Sequence, residues 1–131
     1  MIVVDNSIVV GFVFPADAYH AHAMACRLKD SEWIAPPLIQ SECRSVANGH
    51  VVKGEALDTV LEALDDARAA VRIEPVSNRE VMTAVRGMKF SAYDAEYVAL
   101  ARRMGCRLVT TDRDVLKACS DVAVRLADFV A

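Results

Sequence analysis

The first and last strong strand-like runs of this chain both stop at an aspartate. Met1-Ile-Val-Val ends at Asp5, and Arg107-Leu-Val-Thr-Thr ends at Asp112. Short apolar runs of this kind suit strands buried on both faces, as in a parallel sheet covered by helices. In such a sheet, strand ends and the helix starts that follow them meet at one edge. Two further acids belong in the same argument. Asp94 sits in the first turn of a helix expected to open at Ser91, and Glu42 lies on the apolar stripe of another helix.

The segments between the runs have helix length. Asn6–Phe14 predicts a short helix stopped by Pro15, and Asp17–Lys29 an Ala-rich helix with Asp17 as N-cap. Trp33–Ala35 is a second strand closed by Pro36-Pro37, and Leu38–Val52 is a helix with proline at its start, where proline is tolerated. Gly54 breaks it. Glu55–Ala70 is the next helix and Val71–Glu74 a strand ended by Pro75. Asn78–Met88 and Ser91–Met104 are helices, the second with a capping-box-like Ser91-Ala-Tyr-Asp94 start and Gly105 just past its end. Arg107–Thr110 is a strand, Asp112–Ala118 a short helix and Val122–Arg125 the last strand. Strands separated by helices give a three-layer α/β/α architecture with a central parallel sheet and right-handed crossovers. The 131 residues are read as one domain, 1–131.

Each acid has an ordinary alternative. A helix cap accounts for Asp5 as well as a functional role does, and a capping box accounts for Asp94. Asp112 and Asp114 open a helix, where the macrodipole favours acids, and for Asp114 that reading comes first. Asp94 nevertheless shares a stripe with Val98 and Ala101 by i, i+4, i+7 spacing, so it points with the buried face. Glu42 is the most telling. Leu38, Ile39 and Val46 lie three or four residues from it, and an ionised carboxylate on that stripe requires a partner, either a basic residue or a metal. Carboxylates gathered at one sheet edge repel each other unless a cation joins them. An oxygen-only set favours a hard ion, Mg²⁺ or Mn²⁺. Asp5, Glu42, Asp94 and Asp112 thus suggest a divalent-metal site acting on phosphate.

Other chemistries find less support. His20 and His22 are two residues apart, which is not a one-face ligand pair on a helix, and His50 has no evident partner in sequence. No glycine-rich phosphate loop is present. Cys26, Cys43, Cys106 and Cys119 contain no CxxC pair and are expected to be reduced and mostly buried. No apolar run approaches the ~18 residues that span a membrane. Asp5 interrupts the first run before a signal sequence could form, so a cytoplasmic protein is expected. The 54% hydrophobic content exceeds the needs of a small monomer's core and leaves apolar surface for an oligomer interface. A net charge of −3 gives no overall attraction for nucleic acid. Arg44, Lys53, Arg86, Lys89, Arg102, Arg103 and Arg113 are scattered.

Four segments in order, Val3-Val4-Asp5-Asn6-Ser7, Pro36–Glu42, Ser91–Ala101 and Leu108-Val-Thr-Thr-Asp112, resemble the PIN domain. More narrowly they resemble the VapC-type toxins of bacterial toxin–antitoxin pairs. The resemblance implies a Mg²⁺- or Mn²⁺-dependent endoribonuclease with Asp5, Glu42, Asp94 and Asp112 as its acidic cluster and metal ligands. It makes Ser7 the hydroxyl that orients Asp5 or a water, with Thr111 and Asp114 standing behind the ligands. It also implies a homodimer, an RNA substrate, and a small VapB-type antitoxin whose C-terminal segment blocks the groove. Ser45 departs from the pattern, because many relatives carry Asn three residues after the glutamate.

Two rivals are weaker. A haloacid-dehalogenase-like phosphatase wants a second Asp two residues after the first, and Ser7 occupies that place. A degenerate module that only binds a partner has no need of all four acids.

Overall fold

A computed structural model describes the whole chain, Met1–Ala131. The five expected strands form: β1 (Ile2–Val4), β2 (Trp33–Ala35), β3 (Val71–Ile73), β4 (Leu108–Thr110) and β5 (Ala123–Arg125). They pair in parallel in the order β3-β2-β1-β4-β5. The three inner strands are buried along their whole length, while Arg72 and Arg125 reach solvent from the two edge strands. That burial explains the continuous apolar runs.

The helices are α1 (Asn6–Val13), α2 (His20–Lys29), α3 (Leu38–Val52), α4 (Leu57–Ala70), α5 (Asn78–Val85), α6 (Ala92–Met104), α7 (Arg113–Ala118) and α8 (Leu126–Val130). α1 lies against β1 and β4 and contacts α2, α3 and α4. α6 packs on the same two strands and carries α5. The sheet is therefore the middle of three layers. Ala95, Ala99 and Ala101 are buried on α6, where small side chains let the helix sit close to the sheet. Thirty-three buried apolar residues make one core cluster, and no helix is long and apolar enough to cross a membrane.

Local departures from the sequence reading have physical causes. Asp17 does not cap α2. Its Oδ1 accepts the Tyr19 N–H at 2.9 Å in a side-chain turn, and the helix begins at His20. α5 stops at Val85, short of Met88, and Gly87 follows with φ +73°. α4 begins at Leu57, two residues later than expected. The five-residue α8 is too short to show a helical period and was not expected from the sequence. Gly105 ends α6 in the left-handed conformation (φ 63°), as expected.

Candidate active site

The strand order fixes where a cleft opens. From β1 the chain moves to β2 and β3 on one side, and it later places β4 and β5 on the other. The segments leaving β1 and β4 therefore diverge, and a crevice forms outside the carboxyl ends of these two strands. Asp5 follows β1. Thr111 and Asp112 follow β4.

Asp5 is both a cap and a member of the crevice. Its Oδ1 accepts the N–H of Ser7 at 3.0 Å and of Ile8 at 3.4 Å, satisfying the start of α1, and accepts the Ser7 hydroxyl at 2.5 Å. Its Oδ2 accepts the hydroxyl of Thr110 from the adjacent strand. Thr110 is only 1% exposed, the one buried polar residue of the chain, and its Oγ1 also accepts the Asp112 N–H at 3.0 Å. One threonine thus ties both strand-end acids together. Asp112 caps α7 by accepting the Val115 N–H at 2.9 Å, and Thr111 donates to the Ser7 hydroxyl at 3.0 Å.

The two helix-borne acids arrive from opposite sides. Ser91 caps α6: its Oγ accepts the Asp94 N–H at 3.2 Å and donates to Asp94 Oδ2 at 3.2 Å. Asp94 is nonetheless half-buried with the cleft face of α6, so the capping and functional readings coexist. No basic side chain pairs with Glu42, which corrects one of the two expected partners. Tyr97, buried on α6, donates its hydroxyl to Glu42 Oε1. A neutral phenol satisfies one carboxylate oxygen without cancelling its charge, so the other oxygen stays available to a cation.

Asp5, Ser7, Glu42, Asp94, Thr111, Asp112 and Asp114 all line one polar cleft of about 440 Å³, which Asn6, Tyr97 and Arg113 complete. The acids there feel one another. Burial pushes the Asp5 carboxyl above its ordinary range against the pull of Ser7 and Thr110. Glu42 is raised by burial first and then by the charges of Asp5, Asp94 and Glu96, with the Tyr97 hydroxyl opposing. Asp94 is raised by burial and by Asp112. Glu96, two residues after Asp94 on α6, is raised by burial.

The donor set is all oxygen, with neither imidazole nor thiolate in the cleft. It fits a hard divalent ion. No three acidic, histidine or cysteine side chains are drawn together closely enough to cage an ion.

The sequence alone left Tyr97 and Thr110 without roles. Tyr97 lies three residues after Asp94, on the same helical face, and that spacing was the available signal. Thr110 was hidden inside a strand, where its hydroxyl has no periodicity to betray it. His50 stacks on Phe14 at 4.0 Å and bonds Glu55 Oε1 through Nδ1 at 2.8 Å, away from the cleft. Among the scattered cations, Arg102 pairs with Asp121 and Arg103 with Glu80.

Residues 2–120 match the family model of the PIN domain. The chain belongs to the PIN-domain family. The expected three-layer α/β/α fold is the fold observed. Solved structures agree with the PIN fold. PAE2754 from Pyrobaculum aerophilum is similar at 18% identity with a TM-score of 0.77, over 98% of this chain and 85% of that one. VapC20 of Mycobacterium tuberculosis, described as a sarcin–ricin-loop-cleaving toxin, is similar at 18% identity and TM-score 0.68, over 93% and 96%. VapBC2 from Rickettsia felis, bound to a promoter DNA fragment, is similar at 14% identity and TM-score 0.67, over 95% and 98%. No curated protein matches the sequence.

Proposed function

We propose that this PIN domain is a divalent-metal-dependent endoribonuclease, the toxin of a VapBC-type toxin–antitoxin pair. The observation that carries the reading is the convergence of Asp5, Glu42, Asp94 and Asp112, from four separate segments, on one polar cleft at the sheet's carboxyl edge. Membership of the PIN family and the likeness to VapC20 and VapBC2 support the same conclusion.

Asp5, Glu42, Asp94 and Asp112 would hold Mg²⁺ or Mn²⁺. When bound, such an ion neutralises charge on a phosphodiester and lowers the pKa of water at the site. The chain's own residues do the rest. Thr110 and Ser7 fix the two oxygens of Asp5, so this carboxylate presents a set geometry. Tyr97 holds one oxygen of Glu42 and leaves the other for the cleft. Asp94 or Asp112, where it contacts the ion only through water, would accept the proton of a water at the site. Thr111, through Ser7, and Asp114 orient this set.

The partners follow from the same proposal. A VapB-type antitoxin covers the cleft with its C-terminal segment, and two copies of the chain form a homodimer. Exposed apolar side chains on helices, such as Leu57 and Leu61 on α4 and Met82 on α5, supply contact area for both. Purified, antitoxin-free protein should cut single-stranded RNA in Mn²⁺ and not in chelator. Light scattering should give twice the monomer mass.

A further inference from the structure

An acidic cleft repels the backbone it is proposed to cut, and a net charge of −3 adds no long-range attraction. Some nearby surface must hold the phosphates on either side of the scissile one. A second cleft, of about 370 Å³, adjoins the first and shares two of its residues, Thr111 and Arg113. Its other walls are Tyr19, His22 and Arg125, over a floor of Leu126 and Ala127 from α8. No acid lines it.

The placement of these side chains follows from the fold. Arg125 ends β5 in register with Thr110, the residue that binds Asp5, so it stands one strand outward from the acidic cluster. Arg113 opens α7 immediately after Asp112. Arg72, Arg102 and Arg103 are each paired with an acid, whereas Arg113 and Arg125 are exposed and face this acid-free cleft. Tyr19 is 43% exposed, yet its backbone is held. Asp17 accepts its N–H, its Cβ lies close against Gly11, and the next residue, His20, bonds the Gly11 carbonyl at 2.8 Å through Nδ1. An exposed aromatic ring on a held backbone, beside two guanidinium groups without an acidic partner, is the combination that binds an unpaired nucleotide: the ring stacks a base, and the cations take phosphates.

We infer that the Tyr19–Arg113–Arg125 cleft is the substrate-strand subsite next to the cleavage centre, and that it selects single-stranded RNA by stacking one base on Tyr19. The inference rests on the nuclease reading above. A duplex keeps its bases stacked on each other, so Tyr19 gains nothing from it. The acidic cleft and this one together form a path for a few nucleotides, with charge reversing sign along it.

The test uses the full-length Asp5→Asn protein, which keeps the side-chain shape at the site and is expected not to cut. A fluorescent single-stranded RNA of about ten nucleotides is titrated by anisotropy across a salt series. Tyr19→Leu, which keeps the Cβ packed on Gly11, should weaken binding roughly 5- to 150-fold with little change in salt slope. Arg125→Gln should lower the slope of log K against log salt by about 0.7, the value of one lost phosphate contact on a single strand. Arg79→Gln, on the exposed side of α5, should leave both unchanged. A blunt duplex of the same sequence should bind Tyr19→Leu and its parent alike. If both cleft variants bind single-stranded RNA as the parent does, while protein with native Asp5 still cuts RNA in Mn²⁺, the subsite is overturned and the nuclease reading stands. If native protein does not cut RNA in Mn²⁺, the nuclease reading falls and the subsite with it.

Discussion

Tyr97 on α6 donates its hydroxyl to Oε1 of Glu42 on α3, joining two helices that the sheet separates in sequence by 55 residues. This bond gives a carboxylate on an apolar helix stripe one protein partner. It leaves the second oxygen free and the charge intact. Burial first, and then this contact, raise the Tyr97 phenol above its ordinary range, which keeps it a hydrogen-bond donor at neutral pH.

Tyr97→Phe removes that donor with little change of shape. At neutral pH it should destabilise the metal-free fold by roughly 1.5–3 kcal/mol, the range for a hydrogen bond to a charged group. The hydroxyl holds the Glu42 pKa down, so its loss moves that pKa further up. The acid limb of the cleavage profile should shift to higher pH, and the stability loss should shrink on acidification as Glu42 protonates. Urea melts and a pH–rate series check both.

Thr110→Val is isosteric and deletes one hydroxyl that serves both Asp5 and Asp112. The partly buried Asp112 N–H and an Asp5 oxygen lose their partner, at a cost of about 1–3 kcal/mol. Groups that orient metal ligands typically matter 10- to 100-fold, and Mn²⁺ affinity should fall by about that factor. Calorimetric titration measures it directly.

The pH dependence of the metal-free protein carries a definite sign. Asp5, Glu42 and Asp94 have folded pKa values raised above those of the unfolded chain. The folded state therefore holds more protons, and these three groups make stability fall as pH rises from the ordinary carboxylate range toward neutrality. Asp30, Glu80 and Asp121 are lowered and act in the opposite sense, so the mutant difference is the clean measure. In chelator, Asp94→Asn should melt higher than wild type at neutral pH. The gap should close below the ordinary carboxylate range, where Asp94 is protonated in both states. A gap independent of pH would contradict the charge account and favour capping alone.

Metal should reverse that order. An ion that binds only the folded chain stabilises it by roughly 2.7 kcal/mol at 100 times its dissociation constant. Wild type should gain this in Mn²⁺, and Asp94→Asn clearly less. Equal gains in paired thermal melts would show that Asp94 is not a ligand.

The sequence carried these features unevenly. The inner strands were legible because burial on both faces makes them continuously apolar, and Asp5, Asp94 and Asp112 were legible because strand ends and helix starts are fixed places. The cap and site readings of those acids competed in sequence, yet Asp5 caps α1 and faces the cleft with the same carboxylate. Asp17 misled, because an aspartate before an Ala-rich stretch suits a side-chain turn as well as a cap. Thr110 and the convergence of Arg113 and Arg125 on one cleft depend on tertiary register, such as Thr110 lying opposite Arg125, which no local pattern encodes.

The most direct measurement is RNA cleavage by antitoxin-free protein in Mn²⁺, compared with chelator and with Asp5→Asn and Asp94→Asn in Mn²⁺. The expected result is metal-dependent cutting by wild type and a loss of at least about 100-fold in each variant, as befits removal of a metal-binding charge, with melting curves showing both variants folded. Full activity in either folded variant at matched Mn²⁺, or wild-type cleavage that persists in chelator, would contradict the assignment of this acidic cleft as the catalytic centre.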